Sequence, residues 1–235
     1  MLKLLSVHLG ECRRMYKLFI KRLLDIILSG TAIIILSPLY LIIAIVVRIQ
    51  MGKPILFAQE RIGKDERIFK LYKFRTMTNE KDKKGELLPE KDRLTSFGVM
   101  LRSTSLDELP ELLMILKGDM SIIGPRPQPK FYLPYYEDEE RIAHKVRGGL
   151  LPPDSLCGEC QCDWETQFKY EKQYAENVSI ILDIKVVIYT FVILYKRMKH
   201  NYGADERPML NQYRANKKFT SEERDQWSLK GINIK

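Results

Sequence analysis

The chain has 235 residues, 45% hydrophobic and 10% aromatic, which is enough for one compact domain with short appendages and excludes a disordered chain. A mean hydropathy of −0.23 excludes a multi-pass membrane protein. The formal charge of +9 points to an anionic partner such as nucleic acid, anionic lipid or a phosphorylated substrate, and it sits at the flanks: residues 1–22 and 196–235 carry a net +5 each.

In chain order the sequence divides into a basic leader over 1–22, an apolar membrane helix over 23–48, a catalytic globular stretch over 49–199 and a basic, polar tail over 200–235. The tail is turn-rich and is expected to lie on the surface or to be partly disordered. No internal repeat occurs. Within the globular stretch, 54–59 and 68–74 alternate as short strands around the turn Gly63-Lys64-Asp65-Glu66, which predicts a β-hairpin. Residues 79–92 form a charged loop. A helix over 109–117 places Pro110 at its first position and Gly118 just past its end. Helices follow over 164–177 and 180–198. The longest uncharged run of the last, 186–195, is too short to span a bilayer and suits a helix lying on the core or on the membrane surface.

Residues 26–47 hold no charge, and 22 helical residues reach about 33 Å, one crossing of the hydrocarbon core. Two features point away from a plain crossing. Pro38 interrupts the run, beside a Ser37 whose hydroxyl can satisfy a freed carbonyl. Both flanks are rich in Lys and Arg, where a single span leaves one flank poor in them. A re-entrant helix–bend–helix that dips into one leaflet and returns accounts for both; a kinked single span is the alternative.

The densest polar cluster is Arg102-Ser103-Thr104-Ser105-Leu106-Asp107-Glu108-Leu109-Pro110-Glu111. Asp107 and Glu108 fall at or just before a helix N-terminus, where the dipole favours an ionised carboxylate and a nearby phosphate. Such a carboxylate is a nucleophile toward phosphorus, and a neighbouring pair suits Mg²⁺. Ser105 and Glu108 also have the spacing of a capping box, so a purely structural role stays open. Lys73, Arg75, Arg102 and Arg126, the last framed as Gly124-Pro125-Arg126-Pro127, are candidates for holding a diphosphate. Cys157, Cys160 and Cys162 read as free thiols in a reduced, cytosol-facing chain, or as zinc ligands with His144 or Cys12 as a fourth.

The series Lys21-Arg22-Leu23-Leu24-Asp25, Ser37-Pro38, Gln59-Glu60-Arg61-Ile62-Gly63, Lys73-Phe74-Arg75-Thr76-Met77, Ser105-Leu106-Asp107-Glu108-Leu109-Pro110-Glu111-Leu112 and Lys117-Gly118-Asp119-Met120-Ser121-Ile122-Ile123-Gly124-Pro125-Arg126-Pro127 closely resembles the bacterial sugar transferase family, the monotopic polyprenyl-phosphate phosphoglycosyl transferases. The resemblance runs from about Lys21 to Met198, in the form of the minimal catalytic unit. It implies a helix-rich α/β (α+β) membrane-associated domain, with one N-terminal re-entrant helix–bend–helix and interfacial amphipathic helices. It also implies transfer of a sugar 1-phosphate from a UDP-sugar to undecaprenyl phosphate, with Mg²⁺, on the cytoplasmic face of the bacterial inner membrane. That is a priming step of surface glycan assembly. Asp107 matches the family's nucleophile and Glu108 its dyad partner, both near the metal; Ser37 and Pro38 match the bend, and Arg102 and Arg126 match basic positions near the phosphates. A homodimer is compatible with all of this.

One stretch departs: where the family reads Pro-Gly-Ile/Leu-Thr-Gly and then Gln, this chain has Arg147-Gly148-Gly149-Leu150-Leu151-Pro152-Pro153-Asp154-Ser155-Leu156-Cys157, a loop placed to shape sugar choice. A non-catalytic membrane-anchored binding protein is the rival reading. The tail contains Tyr202, Tyr213 and Trp227 but no nucleic-acid module, so no nucleic-acid partner is expected.

Overall fold

A computed structural model describes residue 11 and residues 13–159, 161–199 and 207–232, with side chains up to 196 in the last long helix. Cys12, Cys160 and residues 200–206 lie outside the described residues. In chain order the elements are α1 (Lys21–Met51), β1 (Leu56–Ile62), β2 (Ile68–Phe74), α2 (Ser96–Ser103), α3 (Glu111–Lys117), β3 (Ser121–Ile123), β4 (Gly149–Leu151), α4 (Trp164–Glu176), α5 (Ile180–Lys199), α6 (Leu210–Tyr213) and α7 (Ser221–Leu229). A π-helical turn, Tyr16–Ile20, leads into α1, and 3-10 turns connect several of the others. The fold is helix-rich α/β, with strands only in two two-stranded ladders among the described residues.

The expected hairpin is present as β1 and β2. Asp65 and Glu66 turn it with φ of 52° and 60°, in the left-handed region that costs non-glycine residues energy. The charged loop contains one helical turn, Glu90–Arg93. It then leads into α2, which the periodicity does not reveal because Ser96–Ser103 is two turns long and carries Gly98. Gly98 is required there: a Cβ would lie 1.9 Å from the Thr76 carbonyl oxygen.

The chain packs as two units. The first comprises 1–59, 71–122 and 194–202. Its spine is α1, 31 residues and so about 46 Å long, closed at Gly52 by a φ of 74°. The helix continues through Pro38. Proline has no amide hydrogen for the Ile34 carbonyl, and the Ser37 hydroxyl donates to that same oxygen at 2.8 Å, so the lost bond is replaced locally. Near its start, Arg22 donates to the carbonyls of Ile115 (2.6 Å) and Leu116 (2.9 Å), capping the C-terminal end of α3. Asp25, buried, accepts from the Ser121 hydroxyl and the Ile122 amide. Near its end, Ile43, Val47 and Met51 pack with Phe74 and Leu101. Both ends of α1 are therefore tied to the same folded unit. Ile34, Ile35 and Ile49 stand exposed on it.

The second unit comprises 60–70, 123–193 and 203–235. Its core gathers Ile62, Tyr132, Leu133, Tyr135, Tyr136, Trp164 and Phe168. The tail is not a loose appendage: Leu210 and Ile232 are fully buried in this core, and Phe219 and Trp227 pack against it. Arg214 adds a half-buried ion pair to Glu140 at 2.6 Å. Four apolar anchors spread over 23 residues produce no periodic signal, which is why composition alone reads the segment as polar. On α5, Asp183 and Val186 face inward while Ile181, Ile184, Ile188 and Phe191 are exposed.

Cysteine chemistry differs from the expectation of free thiols. Gly158, at φ 77°, folds the chain back so that Cys157 and Cys162 form a disulfide. Bonded sulfurs offer no thiolates, and His144 faces Glu66 and packs tilted against the Tyr136 ring. No group of three or more His, Cys, Asp or Glu suited to a metal occurs among the described residues.

Candidate active site

Asp107 and Glu108 lie in a 3-10 turn, Leu106–Glu108, two residues ahead of α3. The turn begins with Ser105 at φ 55°, a left-handed non-glycine residue, which redirects the chain after α2. Ser105 makes no side-chain cap, so the capping box that its spacing allowed does not form; only its carbonyl accepts, from the Glu108 amide at 3.2 Å. The turn is fixed from beneath by Leu106 and Leu109, which pack on the cluster of Ile43, Val47, Met51, Phe74 and Leu101. The Tyr40 hydroxyl donates to the Leu109 carbonyl. Each of these contacts lies within the first unit.

Lys73, at the end of β2, meets the dyad. Its ammonium lies 2.5 Å from Glu108 Oε1 and 3.3 Å from Glu111 Oε1. Burial opposes its charge, but Glu108, Glu111 and Asp107 outweigh that and hold its pKa above the ordinary value, so it stays cationic. Glu111 is part of the motif but had no assigned role; it is buried and shares the same ammonium. Asp107 is buried too, and desolvation pushes its pKa up to about 6, with Lys73 and Arg102 pulling the other way. Burial thus outweighs the helix-terminus effect expected to keep Asp107 in the ordinary carboxylate range.

Arg102 donates from Nε to Thr76 Oγ1 at 3.0 Å, which holds it within electrostatic reach of Asp107. Arg75, expected among the phosphate binders, points elsewhere. It is buried, and its guanidinium donates to the carbonyls of Pro54 (2.8 Å) and Met77 (3.2 Å). Lys73 likewise faces carboxylates. Lys73, Arg75, Arg102, Asp107 and Glu108 all belong to the first unit, and Arg126 belongs to the second. There the loop of Arg126 is held by main chain: the Gly149 amide donates to the Pro125 carbonyl at 2.9 Å, and a Cβ on Gly149 would lie 2.0 Å from Gly124 N. The departing stretch 147–157 therefore buttresses the Gly-Pro-Arg-Pro loop.

Residues 16–197 match the family model described as bacterial sugar transferase. The chain belongs to the bacterial sugar transferase family. By that membership it is an enzyme, a transferase. Among the described residues one helix is long and apolar enough to cross a membrane. It is 40% identical over 173 residues to a protein described as the uncharacterized sugar transferase EpsL of Bacillus subtilis, covering 74% of this chain and 86% of that one. It is 37% identical over 180 residues to the UDP-glucose:undecaprenyl-phosphate glucose-1-phosphate transferase of Klebsiella pneumoniae, covering 72% and 39%. It is 34% identical over 180 residues to the UDP-N-acetylgalactosamine-undecaprenyl-phosphate N-acetylgalactosaminephosphotransferase of Aeromonas hydrophila, covering 73% and 43%. The chain spans less than half the length of these last two relatives.

Proposed function

We propose that the protein transfers a sugar 1-phosphate from a UDP-sugar to undecaprenyl phosphate, releasing UMP, as a priming step of surface glycan assembly. The observation that carries this is the buried Asp107, beside a Glu108 neutralised by Lys73, within a family of sugar transferases. Asp107 attacks the β-phosphorus of the donor. The bond from that phosphorus to the bridging oxygen breaks, UMP leaves with the electron pair, and the sugar phosphate stays on the carboxylate as an acyl phosphate. An oxygen of undecaprenyl phosphate then attacks the same phosphorus and frees the Asp107 carboxylate. Burial keeps water from that adduct. Arg102, within electrostatic reach of Asp107, neutralises the diphosphate. Lys73 holds Glu108 in place, and Arg75 clamps the strand end that carries Lys73.

Mg²⁺ suits a site of this kind. Two adjacent carboxylates are too few for a closed metal cage but match an ion that keeps waters and leans on substrate phosphates. Asp107 and Glu108 would hold it, and when bound it supplies charge neutralisation of the donor diphosphate.

The membrane reading is monotopic and cytoplasmic. Arg22 and Asp25 at one end of α1, and Ile43 to Met51 at the other, engage one folded unit, which suits a helix that enters and leaves on the same side. In the second unit, considered by itself, the exposed apolar row on α5 suits a membrane surface. A homodimer is compatible with this placement.

Intact-mass spectrometry tests the chemistry. Purified protein, Mg²⁺ and a panel of UDP-sugars without acceptor should release UMP and leave a sugar-phosphate adduct with one donor, and Asp107→Asn should give neither. Lipid-linked product from Asp107→Asn would demote Asp107 to a metal ligand or a structural group. No UMP from any donor, with polyprenyl phosphate present, would favour a non-catalytic membrane-anchored binding protein.

A further inference from the structure

The first unit holds a guanidinium that is anchored on one side and open on the other. Arg102, half-buried near the end of α2, donates from Nε to Thr76 Oγ1 at 3.0 Å. Among the described residues its Nη1 and Nη2 have no hydrogen-bond partner, and it forms no ion pair. Two other arginines of this unit are used up: Arg22 and Arg75 both donate from their terminal nitrogens to main-chain carbonyls. A half-buried charge with no counter-charge in contact is costly, and an anion arriving from outside relieves that cost. Arg102 also sits on the turn that carries the dyad. Its carbonyl accepts from the Ser105 amide at 3.2 Å, and the Ser105 carbonyl accepts from the Glu108 amide at 3.2 Å.

Thr76 is a fixed point. It is buried, and the chain on either side of it is tied down. The Arg75 amide donates to the Ile55 carbonyl at 3.0 Å, and the Thr78 amide donates to the Arg93 carbonyl at 2.9 Å. From α2, Gly98 closes on the Thr76 carbonyl itself. With Nε tied to such a point the guanidinium plane has little freedom left, and Nη1 and Nη2 remain as a planar pair of donors that matches two phosphate oxygens. We propose that Thr76 is a positioning residue of the transfer reaction, its hydroxyl holding Arg102 by Nε so that Nη1 and Nη2 together grip two oxygens of the donor diphosphate. The proposal rests on the reading of the protein as a UDP-sugar transferase with Arg102 on the diphosphate. It separates Arg102 from a mere positive charge: a lysine there has one nitrogen and no planar fork, so it cannot bond Thr76 and present two aligned donors at once.

The test is UDP affinity of the full chain in detergent with Mg²⁺, measured by titration calorimetry beside the thermal midpoint. Thr76→Val keeps the shape and removes the acceptor, and it should weaken UDP about fivefold, in the range of a lost hydrogen bond to a charged group. Thr76→Ser keeps the hydroxyl and should bind UDP nearly as the wild type does. Arg102→Met should weaken UDP about tenfold or more, and in that background Thr76→Val should add nothing, because the two act as one unit. Arg102→Lys should lose about as much as Thr76→Val, and it carries the test if Thr76→Val does not fold. Additive losses of Thr76→Val and Arg102→Met, full UDP affinity in Arg102→Lys, equal losses in Thr76→Ser and Thr76→Val, or a lowered midpoint with unchanged UDP affinity in Thr76→Val would each overturn the proposal. If Arg102→Met binds UDP as the wild type does, the reading of Arg102 falls and this proposal with it. If the wild type binds no UDP, the donor reading falls first, so the three failures are distinguishable.

Discussion

Lys73→Met should move the acid limb of the transfer reaction. In the wild-type protein Asp107 titrates at about 6, so at pH 7 it is ionised in roughly a ten to one ratio. Lys73 is the largest influence lowering that value. An opposite charge within about 4–6 Å lowers a carboxyl by roughly one to three pH units, and the low end applies because the Lys73 side chain is 22% exposed. Removing the ammonium also strips Glu108 of its partner, and a second unscreened carboxylate pushes Asp107 in the same direction. The limb should therefore rise by about one unit, to near pH 7. Because the nucleophile must be ionised, the rate then falls about fivefold at pH 6 and about twofold at pH 7, and this part of the loss vanishes by pH 8.5. Initial rates of UMP release from pH 5.5 to 9 measure it. If the acid limb of Lys73→Met coincides with that of the wild type, Lys73 does not tune Asp107, and the electrostatic picture of the dyad is wrong.

Asp107→Asn should stabilise the fold as it abolishes activity. A carboxyl raised from 3.8 to about 6 weakens the native state by up to about 3 kcal/mol above pH 6, so the gain in thermal midpoint should be full at pH 7.5 and gone below pH 4. Gly98→Ala should prevent folding or lower the midpoint steeply, since its Cβ would overlap the Thr76 carbonyl; circular dichroism melts settle it. Single cysteines near Lys17 and near Lys53, in a background without the native four, should both resist a membrane-impermeant thiol reagent in intact cells, whereas labelling of one alone would establish a spanning helix. Leu210→Ala should cost about 2–5 kcal/mol in denaturant unfolding, because Leu210 is fully buried; a loss under about 0.5 kcal/mol would mean the tail is not part of the core.

The hairpin, α3, α4 and α5 were legible because each carries a periodic signal longer than its irregularities, and Gly118 marks the end of α3 with its φ of 104°. The tail and α2 were not legible, because their anchors are few and far apart. Within the site, Asp107 and Glu108 stood out as adjacent carboxylates, but their surroundings did not. Nothing local in the sequence says that Lys73, 34 residues before Asp107, ends on Glu108 and Glu111, or that Arg75, two residues on, turns away to main-chain carbonyls. Alternation along β2 explains the divergence only once the strand is folded: Lys73 and Arg75 share a face, yet the strand ends at Phe74 and the chain turns out of the ladder. The Cys157–Cys162 bond was missed for a related reason. A spacing of five residues suits a metal knot as well as a bridge, and the left-handed Gly158 decides between them.

The attachment of the dyad to α1 bears on how, in the proposed mechanism, a lipid acceptor reaches the buried Asp107. Leu106 and Leu109, on either side of Asp107 and Glu108, pack on a cluster that joins Ile43, Val47 and Met51 of α1 to Phe74 and Leu101, and Tyr40 donates to the Leu109 carbonyl. Those α1 residues belong to a helix whose other faces expose Ile42, Ile45 and Ile49. Any lipid held along that exposed side is within a helix diameter, about 10–12 Å, of the turn that carries the nucleophile. A phosphate on a long hydrocarbon chain then needs no excursion into water to meet Asp107. In the proposed mechanism the nucleotide donor meets Arg102, which Thr76 holds within reach of Asp107. Two substrates of opposite solubility can thus use one carboxylate in turn, which is the order a covalent intermediate requires. On this basis Tyr40→Phe, which frees the Leu109 carbonyl without changing the apolar packing, should slow transfer to polyprenyl phosphate more than the first release of UMP. Equal effects on both steps in single-turnover kinetics would show that the tie to α1 serves the fold alone.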